Sequence, residues 1–444
     1  MGARARAAAL VLLGAVAACA APPDGGDDGD WRTDLDRHVL EQLTGSRDAG
    51  PLVVHFRPGD LAEETLSEDV AANVADFEEL QDRLGMSYRG RVHVFLYRDG
   101  DDMKATTEGD SNIAFSTGTR SIHQVHDFRG VHELTHIFSV QFPPDPDGCT
   151  DLFTTEGLAT SMARSDQDVP VHAWAAMYLR LGRMPDLADL RSDFMGSAPA
   201  GVHPYHVAAS FILHLEERFG IAAVKRWYVN STEAGMVFGV PFPRLENDWR
   251  AFLADLPVEP QHEAHVLERF SRKLGPMPDE WRHAAGTTLF DGGSLDALAP
   301  DEPARWSLRD GLLVGTHDGP WTAIHSRARF GPDVGLRVRF RLVSGNAVQL
   351  RLGRADGQEA QAIFARWSAY MSQGEGFKDN DQVKIPPGVW CDAVFVDVGG
   401  TGRVFLNGAP VFDAEGALAC QEGVVGLAVE RGVIEVKEVV AFRP

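Results

Sequence analysis

Hydrophobic and polar residues follow different periods in different parts of this chain. Near its start, "PLVVHF" at 51–56 and "RVHVFLY" at 91–97 are short β-branched runs, which predict strands. Between them, residues 61–84 carry apolar side chains every three or four positions, which predicts an amphipathic helix. Residues 112–125 predict an extended pair around Gly118. The pattern therefore predicts mixed strands and helices here.

Helical periodicity dominates from residue 130 to about residue 275. The clearest run, "YHVAASFILHLEERFG", ends at Gly220, a residue that commonly stops helices, and residues 243–256 predict another helix. After about residue 285 the period changes to two, as in "GLRVRFRL" at 335–342. Asn407-Gly408 between two apolar runs is a strong hairpin signal. Many short strands separated by glycine and aspartate predict a β-sandwich.

The change of period predicts two domains, at 51–275 and 286–444, and the length of 444 residues agrees with this division. The formal net charge is -22. Nucleic acid and anionic membrane surfaces would repel such a chain, so we expect neither as a partner.

The N-terminus predicts export. Arg4 and Arg6 precede the apolar run "AAALVLLGAVAACA", which is too short for a membrane-spanning helix. The run ends in Val-Ala-Ala-Cys at 16–19, which resembles a bacterial lipobox. That resemblance implies a signal peptide at 1–18, lipidation of Cys19 and a membrane-anchored lipoprotein of the cell envelope, either periplasm-facing or at the surface. The alternative is an ordinary signal peptide with an unrelated cysteine.

Residues 19–50 contain "APPDGGDDGD" and predict a flexible linker after the anchor. An exported protein can retain disulfides. Cys391 and Cys420 lie in one region and are candidates for a pair, which leaves Cys149 without an assigned role.

The segment "GVHELTHIF" at 130–138 carries the main candidate chemistry. His132 and His136 are four residues apart, so on a helix both imidazoles can reach one Zn²⁺ ion. Glu133 lies to the side, where it could accept a proton from a metal-bound water. In "LFTTEGLATSM", Glu156 could supply a third ligand. The alternatives are buried core histidines, and a glutamate favoured by the dipole near a helix start.

The pair of motifs HExxH and EGLA resembles the gluzincin zinc metallopeptidases of the peptidase MA-like type, over residues 50–257. The resemblance implies an α+β zincin-like catalytic domain, zinc bound by His132, His136 and Glu156, and Glu133 as the catalytic base. It also implies a tyrosine that faces the metal, which would be Tyr205, with His206 as the rival candidate. Thr160 stands where some gluzincins have an aspartate that orients a zinc histidine.

The implied activity is that of a zinc-dependent peptidase acting on a peptide or protein. Because no "GxMEN"-like segment precedes the HExxH motif, an endopeptidase is expected rather than an aminopeptidase. Residues 112–117 would then be an edge strand that pairs with an extended substrate.

Three segments of the last domain, "LFDG", "DGLLVG" and "VFLNGAPVFD", resemble the all-β concanavalin-like jelly-roll sandwich of the 3-keto-disaccharide hydrolase-like family. This resemblance implies a glycan-binding face, with Trp306, Trp321 and Trp367 as candidates, although such residues are also typical of cores. Two alternative functions follow. One is a glycan-binding surface lipoprotein with a vestigial peptidase domain, and the other is a metal-dependent hydrolase of substrates other than peptides.

Overall fold

The computed structural model describes residues 31–107, 114–143, 150–199, 201–231, 234–271, 277–319, 321–353, 359–366, 368–373, 376–380, 383–414 and 423–444. The chain divides into two compact units. The first contains residues up to 197 and 203–266, and the second contains residues 198–202 and 267–444. Within the described ranges, no helix combines the length and the apolar character that crossing a bilayer requires.

The helices up to residue 271 are α1 (Asp34–Leu40), α2 (Glu63–Leu84), α3 (Gly100–Thr107), α4 (Val131–Ser139), α5 (Leu152–Ala163), α6 (Val171–Arg180), α7 (Leu187–Ser192), α8 (Pro204–Phe219), α9 (Ile221–Val229), α10 (Ala234–Phe238), α11 (Phe242–Asp255) and α12 (Pro260–Ser271). The strands of the first unit are β1 (Gly45–Ala49), β2 (Leu52–Phe56), β3 (Val92–Tyr97), β4 (Ala114–Thr117), β5 (Ser121–Val125), β6 (Ser165–Asp166) and β7 (Val169–Pro170).

The predicted elements of this unit are observed close to their expected bounds. The flexible linker predicted for residues 19–50 is wrong for its described part, which contains α1 and β1, because Val39 and Leu43 pack with Phe95 in a buried cluster. Helix α2 buries Leu66, Phe77 and Leu80 on one face, and it ends at Gly85, whose φ of 56° is the left-handed conformation that favours glycine. The five-stranded sheet has the order β1-β2-β3-β5-β4. Strands β2, β3 and β5 are parallel, and β1 and β4 are antiparallel to their neighbours.

A row of aromatic rings crosses one face of this sheet. His55, Phe95, His123 and Phe115 occupy matching register positions on four neighbouring strands. Their rings stack in sequence, with centroids 4.9, 4.4 and 4.8 Å apart. Cross-strand ring pairs of this kind stabilise a sheet beyond the burial of their area.

Helix α1 is joined to this row through a buried carboxylate. Asp36 and His123 are both fully buried, and His123 Nε2 lies 3.0 Å from Asp36 Oδ1. The other ring nitrogen of His123 lies 2.7 Å from the hydroxyl of Tyr97. Asp36 also accepts a hydrogen bond from the backbone nitrogen of Thr33, which caps α1. The polar atoms of this buried group therefore satisfy one another.

The second unit contains the short helix α13 (Asp279–Arg282) and a 3₁₀ turn at Pro303–Arg305. Its strands are β8 (Gly286–Phe290), β9 (Leu298–Pro300), β10 (Trp306–Arg309), β11 (Leu312–His317), β12 (Thr322–Ser326), β13 (Val334–Ser344), β14 (Ala347–Gly353), β15 (Glu359–Ala365), β16 (Ala369–Gln373), β17 (Gly376–Asn380), β18 (Cys391–Val398), β19 (Thr401–Leu406), β20 (Ala409–Ala414), β21 (Val425–Glu430) and β22 (Gly432–Phe442).

These strands form two antiparallel sheets that share one core. The eight-stranded sheet has the order β10-β11-β22-β13-β18-β19-β20, with β8 also paired to β22, and the seven-stranded sheet has the order β17-β16-β15-β14-β21-β12-β9. Alternate residues of β13 and β14, such as Leu336 and Leu350, point into the core between the sheets. The predicted all-β sandwich is confirmed, as is the hairpin at Asn407-Gly408, where both residues have positive φ.

A smaller apolar cluster covers the outer face of the eight-stranded sheet. Trp281 of α13 packs edge-on against Phe405, with ring centroids 5.9 Å apart, and Met277, Val396 and Phe442 belong to the same cluster. The side chain of Arg337 donates a hydrogen bond to the carbonyl oxygen of Arg282 at 3.1 Å. The segment before β8 is therefore part of the folded sandwich unit.

Cys391 is buried in β18, where its thiol lies 3.7 Å from the carbonyl oxygen of Val389. Burial raises the pKa of this thiol. Cys149 and Cys420 lie outside the described residues, and so does Cys19. The proposed pairing of Cys391 with Cys420 stays a prediction.

Candidate metal centre

Helix α4 places the two histidines of the HExxH motif on one face. It spans Val131–Ser139, so His132 and His136 are one turn apart, as predicted. Their Nε2 atoms lie 3.1 Å from each other, and the ring planes are inclined by 79°. The two nitrogens therefore converge on a common point.

Glu156 on helix α5 completes the cluster. Its Oε2 atom lies 3.2 Å from His132 Nε2 and 3.5 Å from His136 Nε2. Helix α5 starts after Asp151, which caps it by accepting a hydrogen bond from the Thr154 backbone nitrogen. Glu156 is thus beyond the first turn and only 5% exposed, so the dipole of the helix N-terminus does not explain its position.

The spacing of these three atoms matches a tetrahedral zinc ion. Ligand atoms at about 2.0–2.1 Å from a tetrahedral Zn²⁺ are separated from one another by about 3.3 Å. The three separations here are 3.1, 3.2 and 3.5 Å. Two imidazole nitrogens and a carboxylate oxygen are also a donor set that suits zinc. The residues therefore fit the ion that the sequence predicts.

Charges within the cluster are strongly coupled. Burial alone would raise the pKa of Glu156, but the charge of His136 and hydrogen bonds from both imidazoles lower it to about 2. Burial likewise opposes a charge on His136, but Glu156 and then Glu133 together raise its pKa. A proton is thus attracted to the place where a cation would lie, and metal binding should displace it.

The two ligand-bearing helices are held together by residues outside the motifs. The Tyr228 hydroxyl donates a hydrogen bond to Ser139 Oγ at 2.9 Å, and it also bonds to the Thr155 side chain. Gly157, next to Glu156, permits a close approach of α5 to α8, because a Cβ atom there would lie 2.9 Å from Ile212 Cγ1. These contacts depend on how the helices cross, so the sequence carries no signal for them beyond the glycine itself.

Glu133 and Tyr205, the predicted catalytic residues, both lie beside the cluster. Glu133 is 8% exposed and acts electrostatically on His136. The ring of Tyr205 has its centroid 6.2 Å from that of His132. Tyr205 and His132 line a cavity of about 480 Å³, which also contacts Phe128 and Arg164. The structure brings both residues to the cluster, and their roles remain proposals.

His206, the rival of Tyr205, is held in the wall of the same cavity. Its Nε2 lies 2.8 Å from Asp166 Oδ2 and its Nδ1 lies 2.9 Å from the Tyr178 hydroxyl. Trp174 stacks on its ring, with centroids 4.6 Å apart. Both ring nitrogens of His206 are thus engaged, and the geometry favours Tyr205 as the residue that faces the cluster.

The aromatic candidates of the sandwich have different positions from those expected. Trp306 is 5% exposed, and its ring contacts Gly315 so closely that a Cβ atom there would lie 2.5 Å away. Its assignment to a glycan-binding face is therefore wrong, because the ring fills the space beside Gly315 on the neighbouring strand. Trp321 is half-buried before β12, and Trp367 lies outside the described residues.

A polar row lies on the outer face of the seven-stranded sheet. On β14, Gln349 and Arg351 alternate with core residues, and Gln361 on β15 is opposite Arg351. Gln349 Nε2 donates a hydrogen bond to Gln361 Oε1 at 2.8 Å, and Arg351 Nε donates one to Gln349 Oε1. The neighbouring β21 presents only small residues beside this row, Gly426 and Ala428. No motif marks these three positions, so reasoning from the sequence did not select them.

No protein-family model and no curated protein sequence matches this chain. Several solved structures do match. The carbohydrate-binding module CBM66 from Bacillus subtilis is 16% identical, with a TM-score of 0.29, over 33% of this chain and 95% of that one. A β-glucanase from Bacillus licheniformis is 8% identical, with a TM-score of 0.30, over 36% of this chain and all of its own. The Crh5 transglycosylase in complex with NAG is 12% identical, with a TM-score of 0.30, over 36% and 84%.

These findings correct the predicted activity. The matching structures named above are titled as a carbohydrate-binding module, a β-glucanase and a transglycosylase. A zincin fold is not shown for residues 51–275, and the prediction of a zinc metallopeptidase is wrong. The physical reason is that HExxH and a distant glutamate specify where donor atoms converge. They do not specify the bond that a substrate presents there. The predicted peptide partner and the endopeptidase class are not supported either.

Proposed function

We propose that this chain is a glycan-binding protein that also holds one divalent metal ion, most suitably Zn²⁺, in its first unit. The glycan would bind on the outer face of the seven-stranded sheet, and the metal at His132, His136 and Glu156. The observation that carries the glycan proposal is the row formed by Gln349, Arg351 and Gln361 beside small residues.

Sugar hydroxyls are recognised by planar side chains that donate and accept hydrogen bonds in fixed directions. The amides of Gln349 and Gln361 are oriented by a hydrogen bond of 2.8 Å between them. Arg351 adds a charged donor that is held by Gln349. Gln349 is only 3% exposed, so the contacts with a sugar fall to the half-buried side chains of Arg351 and Gln361. The row is thus pre-organised, which reduces the entropy cost of binding.

A screen of the purified chain on a glycan array tests this proposal. Replacing Arg351 or Gln361 by alanine should weaken binding to any glycan retained by the wild type by about 10–100-fold, because each change removes oriented hydrogen bonds. The matched control is Arg339→Ala, since Arg339 is an exposed arginine on β13 of the other sheet. Absence of glycan binding, or equal binding by all these proteins, would refute the proposal.

We also propose that the protein is exported and anchored through a lipid on Cys19. The support is the apolar run that ends at the small residues before Cys19. Wild-type protein should then sediment with membranes, whereas Cys19→Ala should not. Identical fractionation of the two proteins would exclude the anchor.

A further inference from the structure

The hydroxyl of Thr160 lies directly behind one of the metal-ligand candidates. Thr160 follows Glu156 by one helical turn on α5, and its Oγ1 lies 3.3 Å from Nδ1 of His132. Both side chains are buried, each residue being 8% exposed. Among the described residues, Thr160 supplies the one side chain within hydrogen-bond distance of His132 Nδ1. The opposite nitrogen, Nε2, faces Glu156 and His136.

A metal bound to Nε2 would determine which nitrogen of His132 carries the proton. Without a metal, Nε2 can carry the proton and donate it to Glu156 at 3.2 Å, and Nδ1 is then an acceptor that requires a donor. With a metal on Nε2, the proton must lie on Nδ1, which then requires an acceptor. A threonine hydroxyl can serve in both roles, whereas a carboxylate can only accept.

We propose that Thr160 is the positioning residue of the metal centre, and that its hydroxyl reverses the direction of its hydrogen bond to His132 when the metal enters or leaves. The inference rests on the proposed metal site. A hydroxyl satisfies His132 in both forms, so the ligand cluster stays assembled without the metal. A neutral partner also increases the basicity of the imidazole less than a carboxylate does. The site therefore exchanges its metal more readily than one with a carboxylate behind the histidine.

Isosteric substitution tests the hydrogen bond separately from packing. Thr160→Val keeps the shape of the side chain but removes the hydroxyl, and Thr160→Ser restores the hydroxyl without the methyl group. The matched control is Thr135→Val, because Thr135 is a buried threonine of α4 whose hydroxyl donates to the Val131 carbonyl oxygen at 2.7 Å. Zinc affinity is measured by competition with a chromophoric chelator, and zinc release by transfer to EDTA.

The expected result is a zinc affinity about 10–100-fold weaker in Thr160→Val. Thr160→Ser and Thr135→Val should remain within roughly threefold of the wild type, because both keep a hydroxyl behind His132. Thr160→Asp should release zinc more slowly than the wild type. In spectra of ¹⁵N-histidine-labelled wild type, His132 should carry its proton on Nε2 in metal-free protein and on Nδ1 with zinc. In Thr160→Asp the proton should stay on Nδ1 in both states.

The outcomes separate this inference from the metal site itself. Equal zinc affinity of Thr160→Val and wild type would overturn the positioning role and leave the metal site intact. If Thr160→Ser lost as much zinc affinity as Thr160→Val, then packing of the side chain, and not its hydroxyl, would determine the affinity. A proton on Nδ1 of wild-type His132 with and without zinc would overturn the reversal. A wild type that binds no zinc would overturn both the inference and the metal site.

Discussion

Trp31 lies flat against His93, with ring centroids 3.5 Å apart and ring planes inclined by 13°. Trp31, three residues before helix α1, is therefore packed on an imidazole of strand β3, the central strand of the sheet. His93 Nδ1 in turn lies 3.0 Å from His55 Nε2. The packing at the beginning of the described chain therefore requires that His93 and His55 remain neutral.

Acid should lower the folding stability of the first unit, because these histidines become protonated more readily in the unfolded chain. Burial lowers the pKa of His55 to about 4 and that of His93 to about 3, from an ordinary value of 6.5. The charge of Asp36 raises both pKa values, but too little to reverse the effect of burial. His123 lowers the pKa of His55 further, and His55, Arg91 and Arg120 lower that of His93 further. Between pH 6.5 and these values the unfolded chain binds more protons than the folded one, so stability falls as the pH falls. Below the folded pKa values this contribution no longer changes.

Thermal melts between pH 8 and pH 4 measure the effect. His93→Phe keeps a ring under Trp31 but removes a titrating group, so its melting temperature should fall less on acidification than that of the wild type. His38→Phe is the control, because His38 is exposed on α1. Parallel curves for His93→Phe and wild type would show that His93 does not titrate in this window.

The three donors of the proposed metal centre lead us to expect one zinc ion per chain. Wild-type protein should bind about one Zn²⁺ per chain, whereas His136→Ala and Glu156→Ala should lose most of it, because each removes one of three donors. Zinc should also raise the melting temperature of the wild type, since it binds the folded state, and EDTA should reverse the rise. Elemental analysis and melting curves provide the measurements, with His214→Ala as a histidine control outside the cluster. Full zinc occupancy in both ligand variants would refute the assignment.

Gly157→Ala should disturb the metal centre through helix packing. The added Cβ would lie 2.9 Å from Ile212 Cγ1 and 3.0 Å from Ala208 Cβ, so α5 must move away from α8 and carry Glu156 with it. Overpacking of this kind costs about 1–3 kcal/mol of unfolding free energy, which helix propensity offsets by less than about 1 kcal/mol. Denaturant unfolding should show a lower free energy of unfolding, and zinc titration should show a weaker zinc affinity.

The control is Gly235→Ala, since a Cβ atom at Gly235 of α10 has no atom within 4 Å. This variant should be unchanged or up to about 1 kcal/mol more stable. If Gly157→Ala were equally stable and bound zinc as tightly, the close crossing of α5 and α8 would not constrain the site.

The sandwich unit should require the segment before its first strand. A fragment of residues 277–444 keeps Met277 and Trp281 over Val394, Val396 and Phe405, whereas a fragment of residues 286–444 exposes that apolar cluster. Burying one large side chain contributes about 1.5–3 kcal/mol, so the shorter fragment should melt at a lower temperature and bind more of a hydrophobic dye. Equal melting curves would show that α13 does not stabilise the sandwich.

Periodicity predicted the framework of both units because it depends on side chains within one element. It placed β2, α2 and β3 within a residue or two of their observed bounds. Motif spacing also brought His132, His136 and Glu156 together, since a helical turn fixes the first two and the third is the next acidic residue on a helix. The resemblance marked the position of Thr160 but not its hydroxyl contact with His132, and the bond from Tyr228 to Ser139 was not predicted, because both contacts form only through the crossing of separate helices.

Trp306 is a residue whose environment could not be predicted from the sequence pattern. Its position at the start of strand β10 is compatible with a surface platform or a core ring, and only the contact with Gly315 on the next strand decides between them. Substrate chemistry was likewise beyond the motifs. Donor spacing is a local property, whereas the bond that reaches the donors depends on the walls of the cavity around Tyr205 and Arg164.

Strand β8, with which the sandwich begins, is paired to β22, with which it ends, and Gly286 is directly opposite Phe442. The first and last strands of the sandwich are therefore neighbours in one sheet. A linker of a few residues between them would close the chain into a ring at little entropic cost. New termini could then be opened at the Gly399–Gly400 turn, where both residues have positive φ. The same proximity of ends allows the whole sandwich to be inserted into a surface loop of another protein without separating the two sides of that loop.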